Sequence, residues 1–413
     1  MRAHSIRGFT LIEIMIAMLI GMIGIVVMMQ TFSVSEGFKR TATSGTEAQT
    51  NGAVALYMLE REIRLAGYGM NALVPAGCQS VRVWNSAAGT STTMRLVPFE
   101  INPAGIPAGD PNTDVLMIAY GNADSFVVGV QADNATASPT SPFVIYSNLQ
   151  GFRNGDLIVS VMPGVGPGGA ASCIMHEVTM APGAANNCSQ APLPPPNQLA
   201  HDTGNYKKVG AGCALTAPTH NNATGIVDSD GKVMPAVVRS KGGLIYSLGT
   251  GPSIKVYAIR GGNLTYCDMV AIDCTVAANY SIAVNDVVSL RAVYGKDFTP
   301  APSALPGDGV VDLWDRRPFA NAFEATRVLA AMVEVTARSS IKEKADSNGK
   351  CDYINSDPSK PDKLTDWIGN AYVGIDISQN LTGAPEPAPE QWKCYRYKLF
   401  QTTVPLRNMI WRP

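Results

Sequence analysis

The sequence predicts an α+β protein in which one long N-terminal helix precedes a globular domain rich in antiparallel β-strands. Residues 9–29 form an almost unbroken apolar run. Between Ala53 and Ala66 the apolar side chains recur with helical spacing. Short apolar or alternating runs separated by Gly and Pro then continue to residue 405. A helix followed by many strands is typical of the α+β class.

The apolar run from Phe9 to Met29 is long enough to cross a membrane. It contains 21 residues and one charged side chain, Glu13. As an α-helix rising about 1.5 Å per residue it spans about 31 Å, which matches the hydrocarbon core of a bilayer. The residues before it carry Arg2 and Arg7. A basic flank of this kind stays in the cytoplasm and directs the following chain outward.

Glu13 is unexpected in a plain membrane anchor. A carboxylate inside a transmembrane segment costs a few kcal/mol and by default indicates a function and a partner. The positive end of the helix dipole lowers that cost near the start of the helix. A cut after Gly8 would give Phe9 an ammonium group that can pair with Glu13 of a neighbouring subunit. Before such a cut, we expect Glu13 to have no partner in its own chain.

The segment Gly8-Phe9-Thr10-Leu11-Ile12-Glu13 resembles the class III signal of type IV prepilins and pseudopilins. The resemblance implies cleavage after Gly8 by a prepilin peptidase, N-methylation of Phe9, and a role for Glu13 in guiding assembly. Two alternatives are a conventional secretory signal peptide, cleaved near Ser33 and Ser35, and a plain signal anchor. Neither alternative needs Glu13.

The second half of the helix is predicted to pack under the globular domain. Residues 30–52 are small and polar, and their glycines are expected to soften the helix. Farther on, Leu56, Leu59, Ile63 and Ala66 fall on one helical face, and the glycines at 67 and 69 end the helix. The predicted organisation is a leader at 1–8, a membrane-spanning half at 9–29, a second half at 30–67 and a β-rich domain at 68–413.

The domain after residue 68 is predicted to be β-rich with long loops. Gly (39) and Pro (28) are plentiful and only 16% of residues are charged, which favours strands joined by polar connections. Strands are expected at 114–120, 143–146, 156–161, 243–248, 254–259, 287–294, 328–337 and 395–400. The strands at 243–248 and 254–259 are predicted to form a hairpin, and the one at 287–294 to be half-buried. Residues 182–224 are predicted to be a surface insertion that either carries binding or is a solvated decoration.

Eight cysteines lie beyond the apolar run, and an even number in an exported region favours disulfides. The first expected pair is Cys267–Cys274, because its short spacing suits a hairpin, and the second is Cys351–Cys394. The third pairs Cys173 with Cys188 or Cys213. The remaining candidate is Cys78.

The sequence contains no catalytic motif, so we expect neither an enzyme nor a cofactor. The three histidines after the leader, His176, His201 and His220, are scattered in the sequence and are expected to be solvated loop residues. The net charge of −1 gives no overall attraction to nucleic acid.

Two weaker signals have ordinary explanations. Asp297, Asp308 and Asp312 are weak calcium candidates, although so few carboxylates more often form a capped turn. The basic and aromatic residues at 392–398 have a composition that binds single-stranded nucleic acid, but an amphipathic strand explains them equally well. Metal binding and direct DNA binding are therefore not expected.

Later segments narrow the resemblance to minor pilins of the PilW family. The similar segments are Glu60–Tyr68 with Cys78 beyond it, 155–160, 287–297, 327–339 and 395–408. The segments 182–224 and 351–393 match no known block.

The PilW resemblance implies a low-abundance pilin in the priming and tip complex of a type IV pilus, supporting biogenesis, twitching motility and adhesion. Its implied partners are the prepilin peptidase, other minor pilins, the major pilin, a tip adhesin and, before assembly, inner-membrane lipid. It implies a single-pass inner-membrane precursor with a periplasmic domain that later reaches the cell surface. The alternatives are a minor pseudopilin of a type II secretion system and an anchored extracytoplasmic adhesin.

Overall fold

The structure is a computed structural model. It describes residues 10–70, 78, 80–87, 89–123, 129–132, 140–145, 151–162, 171–182, 188, 195, 197–227, 233–234, 243–298, 307–319, 322–343 and 391–410.

The described residues form three α-helices, three short 3₁₀ helices and twenty-one strands. The helices are α1 (Leu11–Leu65), α2 (Ala322–Ala325) and α3 (Arg407–Ile410). The strands are β1 (Val81–Asn85), β2 (Thr90–Met94), β3 (Phe99–Ile101), β4 (Leu116–Tyr120), β5 (Val130–Ala132), β6 (Phe143–Val144), β7 (Leu157–Met162), β8 (Ser172–Glu177), β9 (Gln198–Leu199), β10 (Tyr206–Lys208), β11 (Ala214–Thr216), β12 (Ile226–Val227), β13 (Val233–Met234), β14 (Gly243–Gly249), β15 (Ser253–Arg260), β16 (Asn263–Asp268), β17 (Ser281–Val284), β18 (Val287–Lys296), β19 (Leu313–Asp315), β20 (Val328–Arg338) and β21 (Tyr397–Pro405).

Helix α1 is continuous over 55 residues, so the softening expected near residues 37–52 does not occur. At Gly52 the glycine allows a close approach, because a Cβ there would collide with the ring of Phe400 and come within 3.1 Å of Ala337 Cβ. The helix ends at Leu65, and Gly67 follows with a φ of +80°. A positive φ at this point is typical of a glycine that terminates a helix.

Three larger sheets follow the helix, and the fold is α+β as predicted. Their strand orders are β2-β1-β8-β7-β14-β5, β17-β16-β15-β4-β3 and β19-β18-β20-β21. Pairing is antiparallel except between β1 and β8. The pairs β10–β11, β12–β13 and β6–β9 form small two-stranded sheets.

The predicted hairpin between β14 and β15 is wrong. The two strands are consecutive, but β14 pairs with β5 and β7, whereas β15 pairs with β4 and β16. A bulge between Ser247 and Gly249, where Gly249 has a φ of +87°, redirects the chain from one sheet into the next. A turn-rich link therefore separates sheets here instead of closing a hairpin.

Strand β18 is buried on both faces rather than half-buried. Only Arg291 is partly exposed along its ten residues. The strand lies between β19 and β20 and also contacts α1, β15 and β16. An alternating pattern identified the strand correctly but not its burial, because contacts with elements distant in sequence cover its second face.

The second half of α1 supplies one wall of the main core. Leu59, Ile63 and Ala66 are fully buried and Leu56 is partly buried, as the helical stripe predicts. The helix packs on β20 and β21. A second, smaller core lies on the six-stranded sheet and includes Phe143, Ile158, Met162, Leu199 and Ile245.

Three disulfides join described cysteines. The first expected pair, Cys267–Cys274, is present. The third was predicted wrongly, since Cys173 pairs with Cys78, and Cys188 pairs with Cys213. The physical reason is that β1 begins just after Cys78 and lies beside β8, which contains Cys173. Cys394 is also disulfide-bonded, but Cys351, its expected partner, lies outside the described residues.

Candidate assembly helix

The first half of α1 is an exposed apolar helix. Residues Leu11–Lys39 are long and apolar enough to cross a membrane, and they form the one such helix in the described part of the chain. Large side chains along it are mostly exposed, for example Leu11 at 78% and Phe38 at 73%. No described part of the globular domain covers this surface, so lipid or other helices are the environments that suit it.

Thr10 and Glu13 form a reciprocal cap at the start of α1. The backbone N–H and the hydroxyl of Thr10 each donate to Glu13 Oε2 over 2.8 Å. In return, the backbone N–H of Glu13 donates to Thr10 Oγ1 over 3.4 Å. This is the capping box, in which a Thr and a Glu three residues later satisfy each other's backbone donors.

The capping box corrects one expectation about the precursor. Glu13 was expected to have no partner in its own chain, but Thr10 supplies two hydrogen bonds. The spacing Thr-x-x-Glu was readable in the sequence and is the signal that would have found this pair. Gly8 and Phe9, the expected processing residues, lie outside the described residues.

Polar contacts fix the far end of α1 to the globular domain. Glu62 accepts from Lys255 Nζ over 3.0 Å and from the Tyr120 hydroxyl over 2.8 Å. Burial alone would lower the pKa of Lys255, but its contact with Glu62 raises it. Asn408 donates to the carbonyls of Leu65 and Ala66, both over 3.1 Å. These contacts attach the C-terminal end of α1 to the domain.

The weak calcium candidates lie in hydrogen-bonded turns. Asp297 Oδ2 accepts from the backbone N–H of Gly309, and Asp308 Oδ1 from that of Val310. Asp312 Oδ1 accepts from the N–H of Phe298 over 2.8 Å. Within the described ranges, no three His, Cys, Asp or Glu side chains form a group able to hold a metal ion.

The basic and aromatic residues near the C-terminus form a packed edge. Trp392 is only 5% exposed. Arg338 lies over the ring of Tyr395 at 4.7 Å, and Arg396 pairs with Glu343 at 2.6 Å. A buried indole does not provide a face on which a base can stack. A single amphipathic strand does not explain these residues either, because Gln391–Cys394 is a 3₁₀ helix and β21 begins only at Tyr397.

The comparison with protein families matches the N-terminus. Residues 4–29 fit the model of the prokaryotic N-terminal methylation motif. No curated protein and no solved structure is significantly similar to the chain. The matched residues include the cleavage region, the capping box and most of the apolar run, and the motif implies processing by a prepilin peptidase and assembly with other pilins. The chain thus carries the signature of a type IV prepilin-like protein, either a pilin or a pseudopilin.

Proposed function

We propose that the protein is a minor pilin of a type IV pilus, of the PilW kind, that primes assembly and forms part of the tip complex. The observation that carries the proposal is the continuous helix α1, whose first half is apolar and exposed while its second half is fixed in a β-rich domain. The methylation motif at residues 4–29 supports the same role. The proposal includes no catalytic step and no cofactor.

The helix performs this role in two stages. In the precursor, Leu11–Lys39 holds the chain in the inner membrane, with the domain in the periplasm. Thr10 satisfies the Glu13 carboxylate during this stage. Cleavage after Gly8 creates a positive charge at Phe9, and assembly brings Glu13 near the ammonium of a neighbouring subunit. This pairing is strong in lipid-like surroundings because the local dielectric is low.

The width of the domain favours few copies at the end of a filament. Helices pack about 8–10 Å apart in a bundle. The six-stranded sheet alone is about 24 Å wide at about 4.8 Å between strands. A position at the tip leaves more room for such a domain than a position repeated along a shaft. The later PilW-like segments support the same assignment.

Replacing Glu13 with valine is expected to leave membrane insertion intact and to block assembly. Insertion depends on the apolar run, which the substitution extends, whereas assembly loses a charge pair. The amount of this protein in sheared pili is expected to fall at least about tenfold, which corresponds to about 1.4 kcal/mol. Immunoblots of alkaline-extracted membranes and of sheared pili measure the two properties separately.

The control is Glu36→Gln, which removes the next carboxylate along the same helix. This variant is expected to assemble normally. Normal incorporation of the Glu13→Val protein would contradict the pairing role of Glu13.

A minor pseudopilin of a type II secretion system is the second candidate, because it would carry the same motif. Deletion of the gene separates the two functions. Loss of pili and of twitching with normal exoprotein secretion supports the pilus. Loss of exoprotein secretion with normal piliation would overturn the pilus assignment.

A further inference from the structure

Two of the three histidines after the leader, His176 and His201, meet at one contact in the domain. His176 lies in β8, while His201 and His220 belong to residues 197–227, here named the clasp segment. Their exposed fractions are 6%, 3% and 6%. The expectation that they are solvated loop residues is therefore wrong. The described part of the 182–224 insertion is only partly buried: Leu199, Tyr206 and Asn221 are buried, whereas residues 210–215 are exposed.

The clasp segment is attached to the end of β8 by backbone and side-chain hydrogen bonds. The N–H of Thr179 donates to the carbonyl of Ala200, and the N–H of Ala200 donates to the carbonyl of Met180, both over 2.9 Å. The Asn221 side chain accepts from Glu177 N–H over 2.9 Å and donates to Glu177 O over 2.7 Å. The buried Glu177 carboxylate also accepts from Lys208 Nζ over 2.8 Å. The segment thus docks on β8 at several points.

The imidazoles of His176 and His201 fill the apolar side of this contact. The ring of His201 stacks on Phe143 at 4.3 Å and lies 4.7 Å from the ring of His176. His176 Nε2 is 3.2 Å from Ser160 Oγ. His220 Nδ1 is 2.9 Å from the carbonyl oxygen of Trp84 in β1. Docking therefore places the two imidazole rings of His176 and His201 in contact inside the smaller core.

Few described carboxylates lie close enough to these rings to stabilise their protonated forms. Asp202 is the carboxylate that acts on His201, and it lies in the clasp segment itself. Glu177 in β8 and Lys208 in β10 act on His220 with opposite signs. His176 faces His201, Ser160 of β7 and Phe143 of β6. Protonating both His176 and His201 would place two positive charges side by side in an apolar core.

Burial makes the docked histidines hard to protonate. It lowers the pKa of His201 to about 4 and, together with the nearby His201, lowers the pKa of His176 well below its ordinary value. Burial also lowers the pKa of His220. A group with a lowered pKa in the docked form binds protons more readily when released. Docking is thus most stable above about pH 6.5 and weakens as the pH falls below that value.

We propose that residues 197–227 form an acid-released clasp, which opens from β8 on mild acidification while the main core under α1 stays folded. Release uncovers Phe143, on which His201 stacks, and with it part of the smaller apolar core. The main core contains no histidine among its described residues, so it lacks the same trigger. This inference does not depend on the proposed pilus function.

Hydrogen–deuterium exchange of the full chain in detergent micelles, at pH 7 and pH 5 with correction for intrinsic rates, tests the clasp. For His201 alone, a pKa of about 4 in the docked form and about 6.5 in the open form makes the opening constant about 20-fold larger at pH 5 than at pH 7. We expect at least this increase in peptides from 197–227 and no increase in β18 and β20, where burial raises the pKa of Glu334 to about 8 and so favours the closed form in acid.

The matched variant is His176→Gln with His201→Phe, which removes both facing imidazoles and is expected to lose most of the pH response. Exchange at the imidazole C2 position in the wild-type protein measures the pKa of each histidine independently of how this variant folds. An ordinary pKa near 6.5 for both His176 and His201 would overturn the proposal. Equal acid response in β20 and the clasp segment would also overturn it.

Discussion

Replacing both Cys78 and Cys173 with alanine is expected to lower the free energy of unfolding of the domain by about 4–5 kcal/mol. The disulfide closes a loop with a sequence separation of 95. In the chain-entropy account, a cross-link of that span lowers the entropy of the unfolded chain and thereby stabilises the folded protein by about 4.7 kcal/mol. The loss of stability is expected to be largest at the β1–β8 contact, because this parallel pairing consists of the single register pair Arg82↔Ile174.

The matched control is Cys267→Ala with Cys274→Ala, whose separation is 7. The same relation gives about 2.4 kcal/mol for this shorter loop. Urea unfolding of both double variants under oxidising conditions measures the difference. Equal losses in the two variants would contradict the role assigned to the long loop.

Replacing Glu177 with alanine is expected to cost about 3–5 kcal/mol, the range for breaking a buried charge pair by removing one partner. Glu177 is fully buried. Its carboxylate accepts from the Tyr206 hydroxyl, from Lys208 Nζ and from both the N–H and the hydroxyl of Thr219. Burial alone would raise the pKa of Glu177, but these donors lower it below its ordinary value. Removing the carboxylate leaves all of them without their acceptor.

The control for Glu177 is Glu60→Gln. Glu60 pairs with Arg64 one turn along α1 at the surface, and such pairs contribute only about 0.2–0.5 kcal/mol. Thermal or urea unfolding is expected to separate the two variants by several kcal/mol. A loss below about 1 kcal/mol for Glu177→Ala would show that the clasp segment does not depend on this carboxylate.

Local patterns predicted the elements but not their partners. The stripe containing Leu59 and Ile63 identified the buried face of α1, and the glycine at 67 identified its end. The partners of β14 and β15 depend on contacts distant in sequence, and alternation carries no information about them. The Cys78–Cys173 pair escaped prediction for the same reason, since only the sheet order brings these residues together.

The functional residues also fall into those that a local sequence pattern predicted and those that only the fold brings together. Glu13 was identified because a lone carboxylate in an apolar run is conspicuous, and its cap by Thr10 is a local pattern that the sequence contained. The contact between His176 and His201 could not be predicted, because two separated segments build it. Only the fold shows that these two histidines meet.

The mass of the N-terminal peptide of the mature protein tests the central claim most directly. In a cell with an active prepilin peptidase, the peptide is expected to begin at Phe9 and to carry one added methyl group on its amino nitrogen. That product follows from the methylation motif at residues 4–29 and creates the charge that Glu13 is proposed to meet. An intact leader, or an N-terminus near Ser33 or Ser35, would contradict the account.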